Sequence, residues 1–279
     1  PFMKPLARPA VAASPAAANA GPRPAPGEPA LIVEDIGVQF GGLRAVDGAS
    51  LTLRKARISG LIGPNGAGKS TLFNAITGLT PLNGGKITLK GRDVTEMSAP
   101  SRAIAGLRRT FQSVQLIPDL TALENVLVGL HHRPKRDWRD ALNPLQARRG
   151  EAAAQAAAHD ALEMLGIAAI AHEPVHALTF AQQRLVEIAR AVVAQPDVLM
   201  LDEPAAGLSK IEVEALDAVL RQLCRERGIA ILLVEHDLGL VLGMSEEITV
   251  LDNGRQIAQG TPRDIESDPK VRTAYVGED

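Results

Sequence analysis

A glycine-rich segment between an apolar run and a predicted helix constrains the fold of this chain most strongly. Residues 58–62 predict a short strand, and residues 70–77 predict a helix that ends at Gly78. The segment between them fits G-x-x-x-x-G-K-[ST], and its residues are Gly63, Pro64, Asn65, Gly66, Ala67, Gly68, Lys69, Ser70 and Thr71. The glycines let successive backbone N–H groups point inward, and the positive end of the following helix points to the same place. Such a loop holds phosphate, with Lys69 for the β- and γ-phosphates and Ser70 as a Mg²⁺ ligand. A plain glycine turn with an exposed lysine is the weaker alternative, because the segment follows a strand and opens a helix.

Two carboxylates follow a second apolar run. Residues 198–201 predict a buried strand that ends in Asp202 and Glu203. The carboxyl edge of a parallel sheet is where ligands bind. Asp202 is placed to hold Mg²⁺, directly or through water, and Glu203 to polarise an attacking water. A strand that merely ends in a polar turn would compete with this interpretation if the phosphate loop were absent.

A third apolar run, residues 231–234, ends in Glu235 and His236 and repeats this design. His236 is a candidate contact for the γ-phosphate. A lone histidine after a strand is more often structural, so this assignment depends on comparison with a family.

Composition limits the classes of protein to consider. The chain has 279 residues and a net charge of −2, so no bulk charge points to nucleic acid. No apolar run reaches the roughly 18–20 residues of a membrane helix, so other chains would have to cross any membrane involved. The one cysteine, Cys224, is expected to be a small buried hydrophobe.

The N-terminal residues 1–29 contain eight of the nineteen prolines, with alanine filling most gaps. They predict a disordered tail or linker, because they cannot bury enough apolar surface to fold. A signal peptide is the alternative, since Lys4 and Arg8 precede apolar residues, but Pro15 interrupts its would-be apolar core.

The order of predicted elements indicates an α/β fold of mostly parallel strands with flanking helices, interrupted by an alanine-rich helical insertion. Within the insertion, residues 121–130 and 151–165 predict the clearest helices, and Thr121 with Glu124 forms a capping box. The basic stretch 133–139 with Trp138 is interpreted as a solvated loop rather than a binding patch. Other expected elements are short strands at 31–33, 37–40, 50–54 and 86–90, a helix at 211–227, and a hairpin over Asn253-Gly254.

Together these residues resemble the ATPases of ABC transporters, from about residue 31 to the end. The resemblance implies a P-loop NTPase (RecA-like) core with an antiparallel β subdomain and a helical subdomain. The domain would span 30–279, with the helical part at about 100–182. It also implies ATP and Mg²⁺ as cofactors, and it assigns roles to several residues.

Phe40 would stack on adenine, and Gln112 in Thr110-Phe111-Gln112 would touch Mg²⁺ and move with the membrane partner. His236 would be the switch histidine, catalytic together with Glu203 and Lys69.

Finer motifs are similar to importers of branched-chain amino acids and related amides. These motifs are Leu201 to Leu208, Glu235-His236-Asp237, Asp268-Pro269 and Ala274 to Gly277, while Thr110 to Leu116 is similar to the longer of that importer's two ATPase subunits. The resemblance implies an ATP-hydrolysing subunit that powers uptake of branched-chain amino acids or similar small polar solutes. It would bind peripherally to the cytoplasmic face of the inner membrane.

The partners implied are a second, unlike ATPase in a head-to-tail dimer, two permease subunits and, indirectly, a periplasmic substrate-binding protein, with no nucleic acid. A lipid or polysaccharide exporter ATPase is one alternative. Another is a non-transport ABC protein that acts on ribosomes or DNA, which the single cassette and the lack of coiled-coil or basic arms disfavour.

The sequence departs from the family at the signature motif, usually Leu-Ser-Gly-Gly-Gln with an aromatic third residue in this branch. Here it is Leu178-Thr179-Phe180-Ala181-Gln182, and Ser209 stands where an acid or amide is usual. Thr179 keeps a hydroxyl for the γ-phosphate held by the opposing subunit, and Gln182 is retained. Ala181 adds a methyl group where bare backbone lets phosphate approach. We therefore predict that this chain's own site is chemically complete and that the site it completes for its partner is weakened.

Overall fold

The computed structural model describes residues 27–130 and 144–276. Most of the predicted tail and the whole basic stretch 133–139 with Trp138 lie outside these residues. The strands are β1 Pro29–Phe40, β2 Leu43–Arg54, β3 Ile58–Ile62, β4 Gly84–Leu89, β5 Arg92–Asp93, β6 Leu107–Arg109, β7 Val198–Asp202, β8 Ala230–Val234, β9 Glu247–Asp252 and β10 Arg255–Gly260. The helices are α1 Lys69–Thr77, α2 Ala99–Ile104, α3 Ala122–Val128, α4 Pro144–Met164, α5 Phe180–Val192, α6 Lys210–Arg227, α7 Leu238–Met244, α8 Pro262–Ser267 and α9 Pro269–Val276.

A six-stranded sheet with the order β10-β9-β3-β8-β7-β6 forms the centre of the molecule. Strands β9, β3, β8, β7 and β6 run parallel, and β10 returns antiparallel to β9. Every residue of β3, β7 and β8 is buried, which explains why these strands are continuous apolar runs. The expected parallel core and the hairpin over Asn253-Gly254 are therefore confirmed. The parallel strands place the phosphate loop, Asp202 and His236 at one edge of this sheet.

A separate four-stranded antiparallel sheet has the order β2-β1-β4-β5, and its apolar face packs with α1 in one core cluster. The prediction of two short strands at 31–33 and 37–40 is wrong, because β1 is a single strand from Pro29 to Phe40. The register shifts between Val33 and Ile36, and Asp35 takes a positive φ of 51°. This irregularity interrupts the apolar alternation of the sequence without ending the strand. Strand β2 likewise begins at Leu43, before the expected residue 50.

Helices α3, α4 and α5 pack together and share a core cluster with the six-stranded sheet. Thr121 caps α3 in the predicted capping box with Glu124, and the helix ends at Val128, two residues before the predicted end. Helix α4 begins at Pro144, earlier than the predicted residue 151. Strand β6 lies inside the range 100–182 but joins the six-stranded sheet. In the two described ranges, we find no helix that is both long and apolar enough to cross a membrane.

Helix α6 ends at Arg227, as predicted, and Gly228 follows it as a C-cap with a left-handed φ of 69°. Its Cys224 is 3% exposed, and burial raises the pKa of the thiol to about 12. The expectation of a small buried hydrophobe at this position is confirmed.

Candidate nucleotide site

The phosphate loop connects β3 to α1 and is packed tightly between β9 and β2. A Cβ on Gly63 would lie 2.1 Å from the carbonyl oxygen of Leu251. Gly68 has a φ of 97°, and a Cβ there would lie 2.5 Å from the carbonyl oxygen of Ala45. Both positions therefore require glycine because neighbouring backbone comes too close for any side chain. The loop is consequently held in one path by two strands that the local sequence motif does not include.

Lys69 is the first residue of α1 and is 8% exposed. Its Nζ donates hydrogen bonds to the carbonyl oxygens of Gly63 at 2.6 Å and Pro64 at 3.0 Å. Burial lowers the pKa of Lys69, and the carboxylates of Glu203 and Asp202 partly offset this effect. The first N–H groups of a helix have no acceptor in the helix itself, so α1 and Lys69 together present donors to an anion.

Asp202 is the last residue of β7, and its buried carboxylate faces Arg109, with Nη2 4.0 Å from Oδ2. Burial raises the pKa of Asp202, and the charge of Arg109 opposes that rise. A cation bound at this carboxylate would further favour its ionised form. Asp202 therefore has the chemistry of a metal ligand at the edge of the sheet.

Glu203 follows Asp202 with a left-handed φ of 46°, and its N–H donates to the carbonyl oxygen of Val234 at 2.9 Å. A left-handed conformation costs roughly 1–2 kcal/mol for a residue with a side chain, and such strain is typical of functional sites. The turn ends β7 and directs the carboxylate toward Gln112, whose Nε2 donates to Oε2 of Glu203 at 3.1 Å. Two motifs that are 91 residues apart in the sequence thus meet through a direct hydrogen bond.

His236 follows β8, the neighbour of β7 in the sheet, and its side chain is 60% exposed. Its Nδ1 lies 3.9 Å from Oε2 of Glu235. Among the described residues, the acid paired with His236 is therefore Glu235 and not Glu203. Glu235 is buried, which raises the pKa of its carboxyl, and its Oε1 accepts a hydrogen bond from the N–H of Ala205 at 3.0 Å. Glu235 therefore fixes the turn after Glu203, while the switch role of His236 stays a prediction.

Phe40 ends β1 and is 52% exposed, on the hairpin that leads into β2. Strand β2 in turn contacts the turn between β9 and β10, because the N–H of Asp47 donates to the carbonyl oxygen of Gly254 at 2.7 Å. Phe40 therefore lies on the hairpin that leads into β2, and the phosphate loop packs against β2 at Ala45. An exposed aromatic ring in this position suits stacking on a base.

The signature residues lie at the N-terminus of α5, away from the phosphate loop in the sequence and on a different element. Thr179 is the N-cap, and its Oγ1 accepts from the N–H of Gln182 at 3.3 Å, while Gln182 Oε1 accepts from the N–H of Thr179 at 2.9 Å. This capping box uses a lone pair of the Thr179 hydroxyl and leaves its hydrogen available for a further acceptor. Ala181 lies in the first turn, whose N–H groups have no helical acceptor. Ser209 caps α6, donating its hydroxyl to Glu212 at 2.7 Å.

Sequence reasoning missed three buried or half-buried charged residues, Arg109, Arg184 and Glu187. The guanidinium of Arg109 lies 4.5 Å from the ring of Phe73 and 4.6 Å from that of Phe111, and it donates to Asn74 Oδ1 at 2.7 Å. Arg184 and Glu187 form an ion pair of 2.7 Å on the buried face of α5. Two opposite charges three residues apart on an otherwise apolar helix face were the available signal for this pair.

Family models match two parts of the chain. The model described as "ABC transporter" matches residues 46–206, which include the phosphate loop, Gln112, the signature residues and Glu203. The model described as "Branched-chain amino acid ATP-binding cassette transporter" matches residues 255–279.

Curated relatives and solved structures agree with these matches. The high-affinity branched-chain amino acid transport ATP-binding protein LivG of Salmonella typhimurium is 42% identical over 252 residues, which is 90% of this chain and 99% of the relative. The high-affinity branched-chain amino acid transport ATP-binding protein BraF of Pseudomonas aeruginosa is 40% identical over 251 residues, 90% of this chain and 98% of the relative. A crystal structure of a nucleotide-free ATP-binding cassette from an ABC transporter superposes with a TM-score of 0.78 at 31% identity, covering 90% of this chain and 100% of that one. The chain therefore belongs to the ABC transporter family, as one of its ATP-binding and ATP-hydrolysing proteins.

Proposed function

We propose that this protein is the ATPase subunit of an importer for branched-chain amino acids or similar small polar solutes. The hydrogen bond between Gln112 and Glu203 carries the proposal of coupled hydrolysis, because it joins a surface segment to the candidate general base. The substrate class is supported by relatives named for branched-chain amino acid transport and by the match at residues 255–279. The proposed location is the cytoplasmic face of the inner membrane, with peripheral attachment.

The geometry supports ATP as the nucleotide. Phe40 would stack on the adenine ring, and the loop from Gly63 to Gly68 with Lys69, Ser70 and Thr71 would hold the phosphates. Nζ of Lys69 donates to two carbonyl oxygens of the loop, and these bonds hold its ammonium group against the loop.

The residues present also fit Mg²⁺. Mg²⁺ prefers oxygen ligands and keeps several waters, so a site of few protein oxygens suits it. Asp202, the exposed hydroxyl of Ser70 and the side-chain oxygen of Gln112 are the oxygens proposed as its ligands, directly or through water. In residues 27–130 and 144–276 there is no group of three or more His, Cys, Asp and Glu side chains for an all-protein cage. When bound, Mg²⁺ would neutralise charge on the phosphates.

Glu203 is the proposed general base. Its carboxylate would accept a hydrogen bond from the attacking water and polarise it, while Gln112 holds that carboxylate in place. Glu235 fixes the following turn through the N–H of Ala205, so the side chain of Glu203 projects from a rigid segment. His236, exposed at the same sheet edge, is the proposed contact for the γ-phosphate. Lys69 would balance the charge that develops on the phosphates.

The proposed assembly contains a second ATPase, arranged head to tail, and two permease subunits, with a periplasmic substrate-binding protein acting through them. In that arrangement Thr179, Ala181 and Gln182 would face ATP held by the other ATPase, which their position on α5 permits. The lipid exporter and the ribosome or DNA alternatives are not favoured, because the relatives reported above are named for amino-acid transport.

Uptake measurements test the proposed function. We expect that a strain without this gene loses energy-dependent uptake of labelled leucine, isoleucine and valine, and that the wild-type gene restores it. Glu203→Gln should fail to restore uptake, whereas Glu214→Gln, at an exposed position on α6, should restore it fully. Uptake of an unrelated sugar serves as the specificity control. Normal branched-chain amino acid uptake in the deletion strain, with loss of another solute, would contradict the substrate assignment.

A further inference from the structure

Three charged residues, spaced three apart on α5, form a row that the mechanism above does not use. They are Arg184, Glu187 and Arg190. Arg184 and Glu187 are each 1% exposed, and Nη1 of Arg184 lies 2.7 Å from Oε2 of Glu187. A buried ion pair gives little net stability compared with apolar side chains of similar size, so stability alone is a weak explanation for it.

The row is directed at the backbone of residues 111–115, the segment that contains Gln112. Arg184 donates from Nη1 to the carbonyl oxygen of Phe111 at 3.2 Å and from Nη2 to that of Gln112 at 3.1 Å. Oε1 of Glu187 accepts from the N–H of Phe111 at 3.3 Å, and Arg190 donates to the carbonyl oxygen of Gln115. Since all four bonds go to backbone atoms, they fix the path of the segment and thereby the position of the Gln112 side chain.

Helix α5 thus connects the signature residues to the candidate general base. At its N-terminus, the ring of Phe180 lies 5.7 Å from the guanidinium carbon of Arg184 and packs beside Gly207, where a Cβ would be 3.3 Å away. At the other end of the connection, the side chain of Gln112 donates to Glu203. The signature helix and the carboxylate of Glu203 are therefore joined by a series of contacts that runs through the backbone of Phe111 and Gln112.

We propose that Arg184 and Glu187, with Arg190, are positioning residues that clamp residues 111–115 onto α5. Through this clamp, a movement of the signature helix shifts Gln112 and so changes the position of Glu203. The signature residues would serve the partner's ATP, so the clamp connects occupancy of the partner's site to hydrolysis in this one. This inference rests on the proposed function for its coupling role, while the clamp itself is a property of this chain alone.

The test uses the full chain with the double substitution Arg184→Met/Glu187→Met. Removing both charges together leaves no unpaired buried charge, so the fold is expected to persist. The matched control is Asp217→Met/Arg221→Met on α6, because that pair is also an ion pair on one helix whose arginine donates to backbone carbonyl oxygens, those of Gly243 and Met244. Three quantities are measured: kcat for ATP hydrolysis, affinity for a fluorescent ATP analogue, and hydrogen exchange of the Phe111 amide, which donates to Glu187.

We expect the clamp variant to lose kcat by about 10- to 100-fold, as for a misplaced catalytic group, with nucleotide affinity unchanged. Exchange of the Phe111 amide should accelerate, because it loses its acceptor, and the control variant should match the wild type in all three measurements. In a Gln112→Ala background the clamp substitutions should have no further effect on kcat, because they act through Gln112.

Two results would overturn the proposal. One is unchanged hydrogen exchange of the Phe111 amide in the clamp variant. The other is that the clamp substitutions lower kcat by the same factor in the Gln112→Ala background as in the wild type. Two changes that act independently, as a separate structural defect would, behave in this way. If the wild-type chain itself failed to hydrolyse ATP, the proposed function would fail, and the exchange measurement would still decide whether the clamp exists.

Discussion

At the scale of single residues, the position of Glu203 is set by contacts from two other parts of the chain, Gln112 and the end of β8 with Glu235. Its backbone is left-handed and bonded to Val234, its carboxylate accepts from Gln112, and the turn after it is held by Glu235. A carboxylate fixed in this way can act on a water only if it is aimed at the γ-phosphate, because geometry decides whether a general base works.

Glu203→Gln tests this role directly. The amide has the same shape but is a far weaker base, so we expect ATP binding to persist and turnover to fall by about 100- to 10,000-fold. Equilibrium binding of labelled ATP and single-turnover hydrolysis measure the two effects separately. Retained turnover with normal binding would refute the general-base assignment.

The site residues Lys69, Asp202, Glu203 and Gln112 could be predicted because each belongs to a short motif that is visible in the linear sequence. The hydrogen bond between Gln112 and Glu203 needed the fold. Arg109 could not be predicted, because its significance comes from Phe73 and Phe111, which lie on different elements and meet around it only in three dimensions.

At the scale of elements, local chemistry at helix starts was predictable. The capping box of Thr121 and Glu124 depends on residues three apart, and the structure contains both of its hydrogen bonds. The same arrangement begins α5 with Thr179 and Gln182. Caps of this kind stabilise a helix by satisfying N–H groups that the helix itself leaves without acceptors.

Thr121→Ala should therefore destabilise the protein by about 1 kcal/mol, the usual value of a lost N-cap. Thr121→Ser retains the hydroxyl and should restore most of this stability. Urea unfolding monitored by circular dichroism gives the comparison, and ATPase activity should stay unchanged because α3 does not contribute to the site. Identical unfolding midpoints for the alanine and serine variants would contradict the role of the cap.

Element boundaries were predicted less well where a long-range contact decides them. Strand β1 continues through the irregularity at Asp35 because both β2 and β4 pair with it on either side of that residue. The three residues of β6 carry no strand pattern of their own and are extended because they pair with β7. Such elements depend on their neighbours in space, which a local pattern does not contain.

At the scale of the whole molecule, the phosphate loop and the signature residues lie on separate elements, α1 and α5, and are proposed to serve two different ATP sites. The chain's own site has Lys69, Asp202, Glu203 and Gln112 together at one sheet edge. The signature residues, at the N-terminus of α5, depart from the family pattern at Ala181. The expected consequence is an unequal pair of sites, in which the site of the partner is the weaker one.

Ala181→Gly is the substitution that tests this asymmetry. Removing the methyl group should let phosphate approach the first-turn N–H groups of α5 more closely, and the ATPase rate of the assembled complex should rise about fivefold, equivalent to about 1 kcal/mol of transition-state stabilisation. A glycine also weakens a helix by up to about 1 kcal/mol, so Ala215→Gly at an exposed position on α6 is the matched control and should leave the rate unchanged. The decisive measurement combines Ala181→Gly with Glu203→Gln in this chain, so that only the partner's site hydrolyses ATP. Because Ala181 is proposed to act on that site, the increase should persist in the combined variant, whereas its disappearance would place the effect of Ala181 within this chain's own site.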